Sequence, residues 1–224
     1  MGVIEFHNVS KAYRTTKSPR VILDNFSGEF PRGRNIGLLG INGAGKSTVL
    51  RLIAGAELPD SGRIRRRAFI SFPVGLAAFK GTLTGRENCR FVARIYGLDT
   101  RSVERFVDEF AEIGRYFDMP IATYSSGMRS RIAFALSMAV DFECYLVDEG
   151  LSVGDGLFKA RADALFEAKR QKVSLIMVSH SPRTIKRYCD MGAVLSNGEL
   201  ALYDNLDDAI RHYEKITGGL GNFE

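Results

Sequence analysis

The stretch Gly40-Ile41-Asn42-Gly43-Ala44-Gly45-Lys46-Ser47 constrains this chain more than any other. Its fixed positions spell G-x-x-x-x-G-K-S, a phosphate-binding loop, and such a loop works only where a strand runs into a helix. The flanks meet that condition. Asn35 to Leu39 is a short apolar run that predicts a strand, and Lys46 to Ala54 has helical character and stops at Gly55. Glycines let backbone N–H groups turn toward phosphate oxygens, and the helix brings its positive dipole end to the same point. The expected nucleotide contacts are Gly40, Ile41, Asn42, Gly43, Ala44, Gly45, Lys46, Ser47 and Thr48, with Lys46 on the β- and γ-phosphates and the Ser47 hydroxyl on Mg²⁺.

The remaining pattern places further chemistry near that loop. Tyr145-Leu146-Val147 is an apolar strand ending in Asp148 and Glu149, at the carboxyl edge where ligands bind in parallel sheets. Asp148 is expected to hold Mg²⁺, directly or through water. Glu149 is suited to accept a proton from water attacking the γ-phosphate. His180 follows the strand Val173 to Val178 and is expected near the same phosphate. Amphipathic helices are predicted at Thr84–Tyr96 and Ser102–Ile113, and further helices at Ser126–Ala139, Leu157–Arg170, Pro182–Tyr188 and Leu206–Ile216. Strands are predicted at Val3–Val9, Gly192–Leu195 and Leu200–Tyr203, the last two joined by a tight turn at Asn197-Gly198. Strands alternating with helices imply an α/β fold whose sheet is mostly parallel.

Length and composition bound the rest. A chain of 224 residues, 45% hydrophobic and 25% charged, buries an ordinary globular core. No stretch reaches the roughly 20 apolar residues that cross a bilayer, and the start of the chain lacks a secretory signal, so a cytoplasmic location is expected. The three cysteines, Cys89, Cys144 and Cys189, are far apart and read as reduced, buried side chains. A net charge of +5 suits an acidic partner such as a phospholipid surface, a nucleic acid or an anionic polymer. Arg63, Arg65, Arg66 and Arg67 form the densest basic cluster, read either as a solvated strand edge or as a contact for lipid headgroups or polymer.

Tyr124-Ser125-Ser126-Gly127-Met128-Arg129-Ser130-Arg131, at the start of a predicted helix, resembles the signature motif of ABC ATPases, with Tyr124, Ser126 and Met128 in place of the common leucine, glycine and glutamine. The resemblance implies that Ser125, Ser126 and Gly127 face the nucleotide held by a second copy. It also implies that Tyr13 stacks on adenine, that Ser152 to Asp155 links the two sites, and that His180 is the switch histidine. One departure stands out. The loop that normally offers a glutamine to Mg²⁺ falls between Ser71 and Leu83, yet Gln171 is the only glutamine in the chain. That loop, the signature and Gly114 to Pro120 resemble the corresponding regions of the ABC subunits that export group 2-type bacterial capsular polysaccharide.

The resemblance implies a P-loop NTPase fold of the ABC ATPase type, with an antiparallel β portion and a helical insertion. Residues 1–224 would form one nucleotide-binding domain, with a helical subdomain at about 84–140. It further implies an ATPase using ATP and Mg²⁺, a homodimer, and a separate membrane-spanning permease dimer docked at the cytoplasmic face of the inner membrane. Periplasmic and outer-membrane export components would be engaged indirectly, and nucleic acid would not be a partner. An exporter of O-antigen or teichoic acid is the alternative, and an ABC ATPase acting on nucleic acid or ribosomes a more distant one.

Overall fold

Each apolar run bounded by glycine or a polar turn becomes an element of a computed structural model, which describes residues 2–16, 18–74, 79–148, 156–179 and 182–218. In chain order the elements are β1 (Gly2–Tyr13), β2 (Arg20–Pro31), β3 (Asn35–Leu39), α1 (Lys46–Ala54), β4 (Ser61–Arg66), β5 (Ile70–Val74), α2 (Gly85–Ile95), α3 (Thr100–Ala111), α4 (Ser126–Ala139), β6 (Cys144–Asp148), α5 (Gly156–Arg170), β7 (Ser174–Val178), α6 (Pro182–Tyr188), β8 (Met191–Ser196), β9 (Glu199–Tyr203) and α7 (Leu206–Ile216). They divide into two units. One comprises Met1–Pro73, Phe142–Glu149 and Lys172–Glu224, and the other Val74–Asp141 and Gly150–Gln171.

The first unit holds two sheets, a three-stranded one ordered β2-β1-β4 and a six-stranded one ordered β5-β6-β7-β3-β8-β9. In the larger sheet β3 pairs parallel with β7 and β8, and β6 pairs parallel with β7. A strand inside a parallel sheet has both faces covered and needs apolar residues on each. β7 reads Ser-Leu-Ile-Met-Val, every residue of it buried, and β6 is buried up to its terminal Asp148. β8 and β9 form the antiparallel portion. Their turn has Asn197 at φ 50° and Gly198 at φ 85°, the positive angles that an Asn-Gly pair supplies at low steric cost. The Gly198 carbonyl accepts a 2.9 Å hydrogen bond from the Asp24 amide, which ties the hairpin to β2.

The smaller sheet carries the basic cluster. Arg63, Arg65, Arg66 and Arg67 are all exposed, and β4 is an edge strand, so the cluster is the solvated strand edge that one reading expected. Within it the Arg66 guanidinium reaches the end of α1, donating to the carbonyls of Ile53 at 2.7 Å and Leu52 at 2.6 Å. Arg67 pairs with Glu5 at 2.7 Å, while Arg63 and Arg65 stand opposite His7 and Glu5.

The second unit is helical. Thr84 and Glu87 close a reciprocal capping box on α2, and Asp99 caps α3 through the Ser102 amide. Its core gathers Cys89, Val103, Val107, Phe117, Tyr124 and Ile132. Arg86 lies over the Phe117 ring at 4.6 Å, bonds Asp118 at 2.6 Å and reaches Glu104 at 3.3 Å, and Arg90 bonds the same Glu104 at 2.6 Å. All three cysteines are free and buried, as read from their spacing.

Candidate functional site

β3 runs through the core with Ile36, Leu38 and Leu39 buried, and the chain surfaces at Ile41, just past the buried Gly40. The chain then turns back on itself, the Ala44 amide bonding the Ile41 carbonyl at 3.0 Å, before α1 begins after Gly45. Gly45 has φ 109°, and a Cβ there would lie 2.7 Å from an Ile22 methyl, so both backbone angle and packing demand glycine. Ile22 belongs to the core shared with α1. The loop is thus pressed into shape from beneath by β2.

Lys46 is buried and crosses the loop, donating from Nζ to the carbonyls of Gly40 at 2.7 Å and Ile41 at 3.1 Å. Its ammonium is fixed where phosphate oxygens would lie against the loop. A cleft of about 320 Å³ opens there, lined by Arg20, Asn42, Gly43, Gly45, Lys46, Ser47, Thr48 and Val178. Asp148 ends β6 and is the cross-strand partner of Val178, which places it one strand beyond the cleft lining. The structure therefore gathers Lys46, Ser47, Thr48 and Asp148 at the carboxyl ends of β3, β6 and β7, the edge where parallel sheets bind ligands.

Tyr13 closes the far end of β1 and is half buried. Its hydroxyl donates to Glu57 Oε1 at 2.6 Å and lies 3.4 Å from the Thr48 hydroxyl, while Arg51 bonds the same hydroxyl at 3.3 Å. Burial alone would raise the Glu57 carboxyl, but hydrogen bonds from Tyr13, Arg51 and Lys11 hold it below the usual carboxylate range. The ring is anchored by its hydroxyl to a charged set, with the Lys11 ammonium 5.5 Å from its centroid. Through Thr48, that set touches the first turn of α1.

In the helical unit the signature residues sit at the start of α4. Ser125 is the N-cap, its hydroxyl accepting from the Met128 amide at 3.2 Å, and Ser125, Ser126 and Gly127 are all exposed. Tyr124 is a core residue whose hydroxyl donates to the Tyr116 carbonyl at 2.7 Å, and burial pushes its pKa up to about 12. The variant signature thus spends its tyrosine on packing and leaves its serine-glycine turn open. Glu149, Asp155 and His180 lie outside the described residues, as do the rest of 151–155 and residues 75–78 of the loop that lacks a glutamine. Beyond 78, that loop is held by Asn88, which accepts from the Lys80 amide at 3.0 Å and donates to the Thr84 carbonyl at 2.8 Å.

Sequence reasoning passed over Arg20 and Val178, both of which line the cleft. Val178 reads only as strand core. Arg20 heads an apolar run and faces Tyr13 across a hairpin, a signal that requires β2 to be recognised first.

Comparison with known proteins bears on what such a site does. Residues 23–152 match the family described as ABC transporter. The polysialic acid transport ATP-binding protein KpsT of Escherichia coli is 52% identical over 217 residues, spanning 95% of this chain and 99% of its own length. The capsule polysaccharide export ATP-binding protein CtrD of Neisseria meningitidis serogroup B is 44% identical, spanning 96% of this chain and all of its own. Among solved structures, an ATP binding subunit of an ABC transporter superposes with a TM-score of 0.74 at 25% identity, over 94% of this chain and 93% of that one.

Proposed function

Because this chain belongs to the ABC transporter family, among its ATP-binding proteins of capsule polysaccharide export, we propose that it hydrolyses ATP to drive export of a capsular polysaccharide across the bacterial inner membrane. The observation that carries this reading is the fixed cation in a glycine cradle: Lys46 Nζ held against the Gly40 and Ile41 carbonyls at the mouth of a cleft that also exposes Ser47.

The triphosphate of ATP enters that cleft. Loop amides and the α1 terminus receive its oxygens, and Lys46 exchanges carbonyl partners for the β- and γ-phosphates. The Ser47 hydroxyl and the Asp148 carboxylate are hard oxygen donors, a set that suits Mg²⁺, whose chemistry is to neutralise charge on the transferring phosphoryl group. Tyr13, with its hydroxyl anchored, offers a ring face to adenine. Glu149 orients and deprotonates the attacking water, and His180 senses the γ-phosphate. Ser125, Ser126 and Gly127 present exposed backbone at a helix N-terminus to the nucleotide of a second copy, with Asp155 joining the two sites.

Closure of that dimer on two nucleotides then pulls on a separate membrane-spanning permease, also dimeric, at the cytoplasmic face of the membrane. The helices between Thr84 and Ile113 receive the permease, within a helical subdomain at about 84–140 of a single nucleotide-binding domain. Among the described residues no helix is long and apolar enough to cross a membrane. Arg63 and Arg65 are the outward cations available to lipid headgroups or anionic polymer.

ATPase activity of the chain, measured alone and then co-reconstituted in lipid with a capsule-export permease, tests the proposal. The expected outcome is permease-dependent stimulation that Glu149→Gln abolishes while Mg-ATP binding persists. Stimulation by nucleic acid or ribosomes in place of the permease would replace the reading with that of a soluble ABC ATPase.

A further inference from the structure

Arg20 opens β2 directly across from Tyr13 in the β1–β2 pairing. Its guanidinium leans over the phosphate loop, so that a Cβ on Gly43 would lie 3.2 Å from Arg20 Nη2. The side chain borders the cleft that holds Lys46 and Ser47, and also a second cleft of about 430 Å³ between Ile41 to Ala44 and Asn197. Other cations nearby are committed elsewhere: Lys46 to loop carbonyls, Arg51 to Glu57, Lys11 to Glu57 and Asp60. Arg20 has no ion-pair partner among the described residues, although it is exposed beside an anion-binding loop.

We propose that Arg20 is a second cation for the bound triphosphate, reaching across Gly43 from β2 to pair with phosphate oxygens that the loop and Lys46 already hold. The inference rests on the nucleotide binding at this loop and adds a residue from another strand to it. A guanidinium offers phosphate a planar pair of donors, which a lysine matches in charge but not in shape. A loop whose glycine leaves room for that group lets β2 contribute charge without crowding the backbone amides. Because the contact is with phosphate, it strengthens binding of any nucleoside triphosphate alike. Arg20 lies at the open rim, so solvent and salt screen it more than Lys46.

Dissociation constants of Mg-ATP and Mg-GTP, measured on the full chain at low and moderate salt, test this for the wild type, Arg20→Gln and Arg20→Lys. Arg20→Gln is expected to weaken both nucleotides equally, by about tenfold at low salt, and to flatten the salt dependence. Arg20→Lys should recover most of the affinity, and Arg20→Ala, read by the same constants, decides the matter if the glutamine variant folds poorly. Unchanged affinity, an unchanged salt dependence, or a loss confined to one base would overturn the proposal, the last pointing to stacking on the base. Lys46→Ala separates the two levels: if it still bound Mg-ATP like the wild type, nucleotide binding at this loop would itself be wrong.

Discussion

The two units use charge differently on top of their apolar cores. Around the phosphate loop, cations are held largely by backbone carbonyls and the loop itself by close packing. Gly45 lies against Ile22, Lys46 rests on the Gly40 and Ile41 carbonyls, and Arg66 reaches the carbonyls at the end of α1. In the helical unit, opposite charges link the elements around the apolar core. Arg86 spans Asp118, Glu104 and Asp108, and Arg90 shares Glu104. A site that must present amides to phosphate within a fraction of an ångström gains from packing, which is steep and indifferent to salt.

The comparison breaks most readily at Gly45. Gly45→Ala forces a left-handed angle on an L-residue and drives a methyl into Ile22, which should cost about 3 kcal/mol by denaturant melting. Mg-ATP binding by calorimetry should fall by a hundredfold or more. A folded Gly45→Ala protein with normal affinity would mean that the loop is shaped by its ligand and not by β2.

Glu104 sharpens the other side. Burial alone would raise its carboxyl, but Arg90 and Arg86 hold it below the usual range. Its folded pKa is therefore depressed relative to the unfolded chain. The stabilisation is complete above the unfolded value of about 4.3 and is lost as pH falls through the folded one. Glu104→Gln should cost about 1–2 kcal/mol at pH 7, and the gap from wild type should begin to narrow in melts run below about pH 4.3 and keep narrowing as pH falls through the folded pKa. A gap that persisted in acid would assign the effect to shape instead of charge.

Tyr124→Phe carries the smallest expected change. It removes one buried hydrogen bond to the Tyr116 carbonyl and should cost about 1 kcal/mol, lowering the melting temperature by roughly 2–4 °C in a chain of this size. If it also weakened assembly of the dimer proposed to form on ATP, Tyr124 would be positioning the exposed Ser125–Gly127 turn as well as filling the core.

How much of this was legible beforehand follows the locality of each signal. The β3-loop-α1 unit, α4, the β8–β9 turn and α7 were readable because motif, cap or periodicity is written within a dozen consecutive residues. β2 was not, since Asn25 at φ 48° and several register shifts against β1 interrupt its alternation. Arg20 was missed with it, a site residue on an unrecognised strand. β5 escaped because Ile70 to Val74 carries a proline and a serine whose hydroxyl accepts from the Leu146 amide, a partner 75 residues away. The basic cluster was legible as a solvated strand edge, since four exposed arginines sit on or beside β4, but the reach of Arg66 to the end of α1 was not, because its partners lie 13 and 14 residues away.

The buried cysteines have a practical corollary. Burial pushes the thiols of Cys89 and Cys144 up to about 12, and Cys189 is also shielded, so the native sulfurs are poor nucleophiles at neutral pH. A cysteine introduced at exposed Ser126 would outcompete them for a maleimide probe without any native cysteine being replaced. Paired with a second probe near Asn42, it would turn the meeting of two copies into an optical distance signal.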